Sequence, residues 1–230
     1  MSNKNMIYEV ETLKPTQCAV GMDHVNRKVS EMKSLKQQAD GKRKVSEFIK
    51  SHPAPVVTRN QDVYLIDNHH MCRALVELGD DFFKDIPIYE DDISKSPNGK
   101  STPDKPVVMV KVVSDLSDIE SQDEFWKVMD EKKWVHPYDK NGNRVAFSEI
   151  PNTISKLQDD IFRSIAAIVK IQGGFKKTFI PYAEFQWANY FRSCWKDHHK
   201  MEKEHFDIII DKSMKLAKHK DAENLPGYNN

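Results

Sequence analysis

Val63-Tyr-Leu-Ile-Asp-Asn-His-His-Met-Cys-Arg-Ala-Leu75 changes from a strand pattern to a helix pattern within a few residues. Residues 63–66 are apolar and favour a β-strand, whereas Asp67 and Asn68 form turns and cap helices. Apolar residues then return at helical spacing from Ala74, and Gly79 is typical of a helix end. A strand that turns directly into a helix presents backbone N–H groups and the positive end of the helix dipole. The stretch therefore predicts an anion site, best suited to phosphate.

Two histidines and a carboxylate lie at this turn. His69 and His70 can donate to phosphate oxygens or move a proton, and Asp67 can cap the helix, orient a histidine or hold Mg²⁺. Adjacent helical residues point about 100° apart, so both histidines reach one phosphate only if the turn is irregular. The alternative is an ordinary surface histidine pair. Because adjacent histidines do not have zinc-ligand spacing, we predict no metal site built from protein side chains.

Several stretches resemble one superfamily. Residues 68–75 resemble, without gaps, the Gly-Glu-Arg-Arg-x-Arg-Ala-Ala box of ParB partition proteins, and also the Asp-Gly-His-His-Arg box of ADP-dependent free-serine kinases. Sulfiredoxins carry their Gly-Cys-His-Arg box at the same place. The chain most resembles the putative ParB-like nuclease family, and the stretches that carry this resemblance are Leu13-Lys-Pro-Thr-Gln17, Val20-Gly21, His52-Pro53, the Asp-x-His-His box, Pro181-Tyr-Ala-Glu-Phe-Gln-Trp-Ala188 and Leu225-Pro-Gly-Tyr228.

The resemblance implies an α+β fold: a small mixed ParB/sulfiredoxin-like sheet with helices, followed by a helical C-terminal half. It divides the chain into a nucleotide-binding domain, 1–150, and a helical extension packed on it, 151–230. The strands predicted from the pattern are 7–13, 55–58, 63–66, 86–89 and 107–113. The predicted helices are 22–32, 45–49, 121–134, 154–169, one from Pro181 and one at 203–218.

The resemblance also implies a ligand, a nucleoside di- or triphosphate (ATP, ADP or CTP) with Mg²⁺. The residues expected to bind it are Asn68, His69, His70, Arg73, Thr58 and Arg59, and those expected to catalyse are Asp67, His69, His70 and Glu184.

The chain departs from the relatives at three positions. Met71 stands where their boxes place an arginine, which removes a positive charge from the phosphate pocket. Thr16 and Gln17 stand where the serine kinases carry a glutamate base, which argues against serine phosphorylation, and Thr16 is expected to cap a helix. His69 occupies the position of the sulfiredoxin nucleophile, so Cys72 is expected to pack inward.

Glu184 and Trp187 are candidates far along the chain. A carboxylate among aromatic residues tends to have a raised pKa and can act as an acid or base. Residues three apart share a helix face, so we expect both to face the cleft of His69 and His70, with Trp187 stacking on a ligand ring. The alternative for Glu184 is a buried salt bridge with Arg163 or Lys177.

Composition narrows the classes of partner. Lys+Arg and Asp+Glu are both 35, so the net charge is zero, which argues against specific binding of duplex DNA. Three scattered cysteines and no apolar run near ~20 residues predict a cytoplasmic protein without a membrane partner. The leading prediction is a nucleotide-dependent phosphotransferase or hydrolase acting on a small-molecule or protein acceptor. A metal-dependent ParB-like nuclease and a non-catalytic binding module remain open alternatives.

Overall fold

The computed structural model describes residues 6–195 and 206–229. The strands in this part of the chain are β1 (Met6–Glu9), β2 (Lys14–Pro15), β3 (Ala19–Val20), β4 (Ala54–Arg59), β5 (Asp62–Leu65), β6 (Val107–Asp115) and β7 (Gln158–Asp159). The helices are α1 (Met22–Gln37), α2 (Gly41–Ser51), α3 (His69–Phe83), α4 (Gln122–Glu131), α5 (Ile161–Ile171), α6 (Ala183–Cys194) and α7 (Phe206–Ala217).

Five strands form a mixed sheet in the order β1-β6-β4-β5-β2. Strands β4 and β5 form an antiparallel hairpin that turns at Asn60, whose φ is 54°. Strand β2 runs parallel to β5, and β6 runs parallel to β4. The residues of β5 from Val63 to Leu65 are buried, as their apolar character predicts. The α+β class with a small mixed sheet and a helical C-terminal half is confirmed.

The chain divides into two compact units. The first contains residues 1–19 and 25–158, and the second contains residues 20–24 and 159–230. The larger segment of the second unit thus begins after Gln158, whereas the predicted domain boundary follows residue 150. That the helical part packs on the first domain stays a prediction.

Three predicted elements are wrong in whole or in part. The strand predicted at 7–13 ends at Glu9, because Val10–Thr12 form a 3₁₀ helix. The helix predicted at 154–169 begins only at Ile161, because the Asp160 side chain accepts the N–H of Phe162 at 3.0 Å and caps α5 there. The strand predicted at 86–89 is a turn in which Ile88 N–H donates to the Ile86 carbonyl at 2.8 Å. These isoleucines are buried, so their apolar character reflects core packing without strand pairing.

Helices α5, α6 and α7 build the core of the second unit around buried aromatic residues, namely Phe162, Phe175, Trp187 and Phe191. The helix predicted at 203–218 is α7, and residues 203–205 lie outside the described part. None of the described helices combines the length and apolarity that a membrane-spanning segment needs.

Candidate functional site

The turn between β5 and α3 has the geometry of an anion site. Asp67 Oδ1 accepts the backbone N–H of Asn68 at 2.7 Å, and Asn68 adopts the left-handed conformation, with φ 66°. Asn68 occupies the N-cap position of α3, yet among the described contacts its side chain makes no capping hydrogen bond. Since the first N–H groups of an α-helix lack intrahelical partners, the N-terminus of α3 keeps its capacity to bind an anion. We call Asp67, Asn68 and His70 the β5–α3 turn site.

The two adjacent histidines differ in their surroundings. His69 is 5% exposed, and its Nε2 accepts the backbone N–H of Thr16 at 3.1 Å. An accepting Nε2 carries no proton, so this hydrogen bond assigns the proton of a neutral His69 ring to Nδ1. His70 is only half-buried. His69 therefore holds a neighbouring segment in place, and His70 is the more solvent-accessible of the two histidines.

Three atoms of Thr16 take part in hydrogen bonds. Its N–H binds His69, its hydroxyl donates to the Leu65 carbonyl at 2.7 Å, and its carbonyl accepts the N–H of His136 at 2.8 Å. The expected helix cap is therefore wrong, because the hydroxyl fastens the segment after β2 to the end of β5. This link was not predicted, although Leu13-Lys-Pro-Thr-Gln17 is one of the family-like stretches.

Thr58 and Arg59 lie at the other end of the hairpin from this site. Arg59 pairs in register with Asp62, whereas the turn site follows Leu65. Three residues of strand separate these levels, about 10 Å at roughly 3.3 Å per residue. The guanidinium of Arg59 is also engaged: Nε donates to the Ile119 carbonyl at 3.0 Å and Nη2 to the Glu120 carbonyl at 2.6 Å. We therefore leave Thr58 and Arg59 out of the proposed site.

Arg73 also makes structural contacts. Its Nε donates to Glu77 at 2.8 Å, and its Nη1 donates to the carbonyls of Ser155 at 2.6 Å and Leu157 at 2.9 Å. These bonds tie α3 to the segment that precedes β7. The arginine of the family-like box thus anchors backbone here, and the proposed site has no arginine.

Cys72 packs inward as predicted. Burial, together with the smaller effect of the negative charge of Asp67, raises the pKa of its thiol to about 12. The thiol is therefore protonated at neutral pH and is a poor nucleophile.

Trp187 belongs to the core of the second unit. It is 0% exposed, its ring stacks on Phe175 with centroids 4.3 Å apart, and its indole N–H donates to the Pro226 carbonyl at 2.7 Å. The predicted role in stacking on a ligand is wrong, because neither face of the ring is accessible.

Glu184 forms an ion pair with Lys170. Burial raises the pKa of this carboxyl group, but the charges of Lys170 and Arg163 lower it by more, so the pKa lies below its ordinary value. The expected raised pKa is therefore wrong. A salt bridge is present, as the alternative expected, but the observed partner is Lys170, whereas the expected partners were Arg163 or Lys177. A common cleft of Glu184 with the histidines stays a prediction.

Metal ligands do not cluster in the described part of the chain, where no group of three or more His, Cys, Asp or Glu side chains could hold an ion. Asp67 is an exposed carboxylate at the turn site and offers an oxygen of the kind Mg²⁺ prefers. The donor set thus fits a Mg²⁺ ion that takes one protein ligand and its other ligands from water or a bound anion.

Residues 6–193 match the model of a family described as "Putative ParB-like nuclease". The chain belongs to this family. The crystal structure of protein Atu1540 from Agrobacterium tumefaciens is similar to this ParB-like chain, with a TM-score of 0.72 and 29% identity over 98% of each chain. Among curated proteins, none matches this chain.

Proposed function

We propose that this ParB-like protein binds the phosphates of a nucleoside di- or triphosphate at the β5–α3 turn site and hydrolyses the nucleotide or passes phosphate to an acceptor. The observation that supports this most is the N-terminus of α3, where Asn68 turns the chain without capping the helix. The backbone N–H groups and helix dipole favour phosphate there even though the site has no arginine.

Each residue of the site has a role in this proposal. The N–H groups at the start of α3 bind phosphate oxygens, and His70 donates a further hydrogen bond or moves a proton. Asp67 would hold Mg²⁺, which supplies charge neutralisation on the phosphates when it is bound. His69 is a positioning residue, since it fixes Thr16 beside the site.

Asn68→Asp provides a sharp test, because it places a negative charge at the phosphate position and keeps the side chain's size. Aspartate tolerates the left-handed conformation and is favourable at a helix N-terminus, so stability should hold or rise. Two charges about 4 Å apart repel by roughly 1–4 kcal/mol at a protein surface, so nucleotide affinity should fall about tenfold or more.

Asn60→Asp is the matched control. Asn60 also has a positive φ, 54°, but it turns the hairpin at the end away from the site. Titration calorimetry with ATP, ADP and CTP, with and without Mg²⁺, should show binding in the parent and in Asn60→Asp, and loss in Asn68→Asp. Equal affinity in both variants would contradict the proposal, as would a parent that binds none of these nucleotides.

A metal-dependent nuclease is the second candidate, and the family's description favours it. The same turn site would then hold a backbone phosphate of a nucleic acid. Incubation of labelled single-stranded and duplex DNA and of RNA with the protein and Mg²⁺ or Mn²⁺ separates the two candidates. Cleavage that His70→Ala abolishes, without nucleoside triphosphate turnover, would favour the nuclease. Nucleotide binding without either activity would indicate a non-catalytic binding module.

A further inference from the structure

Residues 176–181 expose a compact apolar tip. The side chain of Phe179 is fully exposed, at 102%, and that of Ile180 is 53% exposed. Lys176 and Lys177 precede them and are exposed as well. An apolar side chain that stays in water gains nothing from folding, so a large pair of them at one tip indicates a binding role.

The base of this loop is held by well-packed residues. Phe175, directly before it, stacks on Trp187 with an angle of 7° between the rings. The N–H of Lys176 donates to the Gly227 carbonyl at 2.7 Å, and within the loop Ile180 N–H donates to Thr178 Oγ1 at 3.0 Å. The loop therefore has a defined conformation that projects Phe179 into solvent.

The C-terminal turn closes over this base. A Cβ atom on Gly227 would lie 2.1 Å from the Lys176 carbonyl oxygen, and the φ of Gly227 is 75°. The preceding residue, Pro226, accepts the indole N–H of Trp187 at 2.7 Å. Only glycine allows so close an approach. The Leu225-Pro-Gly-Tyr228 stretch therefore packs against the base of the loop and holds it in place.

The charges beside the tip indicate what it binds. Within residues 6–195 and 206–229, neither Lys176 nor Lys177 forms a salt bridge with an acidic side chain. An apolar tip flanked by lysines matches an anionic lipid surface, because the rings and alkyl groups enter below the headgroups while the ammonium groups stay level with the phosphates. A protein partner would instead need a wide complementary surface, roughly 800 Å² on each side, rather than a projecting tip.

We propose that the loop 176–181 binds the surface of anionic membranes, with Phe179 and Ile180 inserted and Lys176 and Lys177 at the headgroups. This is peripheral binding, which needs no membrane-spanning helix. It departs from the expectation of no membrane partner, and it is independent of the nucleotide proposal.

Co-sedimentation of the full chain with vesicles tests this proposal. Vesicles of phosphatidylcholine alone should bind little, whereas vesicles with about one third phosphatidylglycerol should bind the protein, and more weakly as salt rises. Phe179→Ala with Ile180→Ala should weaken this binding about fivefold or more, since apolar insertion contributes with charge. Lys176→Glu with Lys177→Glu should weaken it roughly tenfold or more.

Matched controls lie in the first unit. Ile93→Ala removes an isoleucine that is 54% exposed, and Lys132→Glu with Lys133→Glu reverses another adjacent, exposed lysine pair. Both controls should bind vesicles like the parent. Because the substituted side chains are exposed, all variants should fold. The control Lys132→Glu with Lys133→Glu should melt slightly lower than the parent, since it puts negative charge at the C-terminal end of α4.

Three results would overturn the proposal. The first is no sedimentation with anionic vesicles at low salt. The second is equal loss in the control variants, which would indicate a net-charge effect. The third is binding that depends on the lysines but survives loss of Phe179 and Ile180, because the tip would then not insert.

Discussion

At the β5–α3 turn, Asp67 and Asn68 are exposed and His70 is half-buried, so polar groups face solvent where a helix begins. In the equally family-like stretch 181–188, Glu184 is in an ion pair and Trp187 is wholly buried. Both stretches lie within residues 6–193, which match the family model. The comparison shows that the family-like stretches contain two kinds of residue: those that are accessible to solvent and those that hold helices together.

The largest expected effect concerns the buried member of this comparison. Trp187→Ala removes a fully buried ring and the hydrogen bond to Pro226, and it should lower the free energy of unfolding by about 3–5 kcal/mol. Urea unfolding followed by circular dichroism measures this effect. Trp126→Ala is the control, because Trp126 is only half-buried and should cost about half as much.

Trp187→Phe covers the case in which the alanine variant does not fold. Its nucleotide affinity should equal that of the parent. A folded phenylalanine variant that loses the nucleotide would restore the ligand-stacking role and remove the contrast between the two stretches.

Arg59 extends the comparison into the first unit. Arg59→Ala leaves two backbone carbonyls and Gln122 without their charged donor, and it should cost about 2–3 kcal/mol of unfolding free energy with nucleotide affinity unchanged. Arg59→Lys should not restore stability, because an ammonium group cannot replace the planar fork. Arg43→Ala, which removes an exposed pair with Glu90, should cost below about 1 kcal/mol. A folded Arg59→Lys with weakened nucleotide binding would show that the hairpin end reaches the ligand.

Substitutions of His69 and His70 test the β5–α3 turn site directly. His70→Ala should weaken nucleotide binding about tenfold, or 1.4 kcal/mol, and lower the melting temperature less than His69→Ala does. His69→Ala should instead destabilise the fold by about 1–2 kcal/mol, since it leaves the buried N–H of Thr16 without its acceptor. Calorimetry and thermal unfolding on both variants separate the roles. The opposite pattern, with binding lost in His69→Ala alone, would reverse the assignment.

Local patterns in the sequence were enough to predict much of the fold. The strand-turn-helix at residues 63–75 was predicted correctly, because burial of β5 and the turn chemistry of Asp67 and Asn68 are encoded within a few residues. Gly79 was predicted to end the helix, and its φ of 71° interrupts α3 there. The start of α5 was missed because a cap by Asp160 and a helix running through it give the same apolar spacing.

The roles of site residues were harder to predict because their partners are distant in sequence. His69 and Thr16 are 53 positions apart, Arg59 and the Ile119 carbonyl are 60, and Trp187 and the Pro226 carbonyl are 39. A charged or aromatic residue in a family-like box has the same appearance whether it binds a ligand or a carbonyl group of the chain. Only the packed fold distinguishes these cases.

The smallest expected effect is the loss of the Glu184–Lys170 ion pair. Its contribution to the free energy of unfolding can be recognised because it depends on pH. Because the pKa of Glu184 is lowered by folding, its ion pair stabilises the protein above the ordinary pKa of 4.5 and loses this contribution as pH falls through the folded-state value. Glu184→Gln should cost about 0.5–1 kcal/mol at neutral pH. The difference from the parent should shrink to nothing in acid. Glu47→Gln, which removes a carboxylate at an exposed helix position, is the control and should leave the free energy of unfolding at neutral pH nearly unchanged. Unfolding free energies measured from pH 7 to pH 3 check this.

A difference that grows as pH falls would mean that the folded protein binds the Glu184 proton more tightly than the unfolded chain. Glu184 would then have the raised pKa of a general acid, and the contrast with the β5–α3 turn would fail.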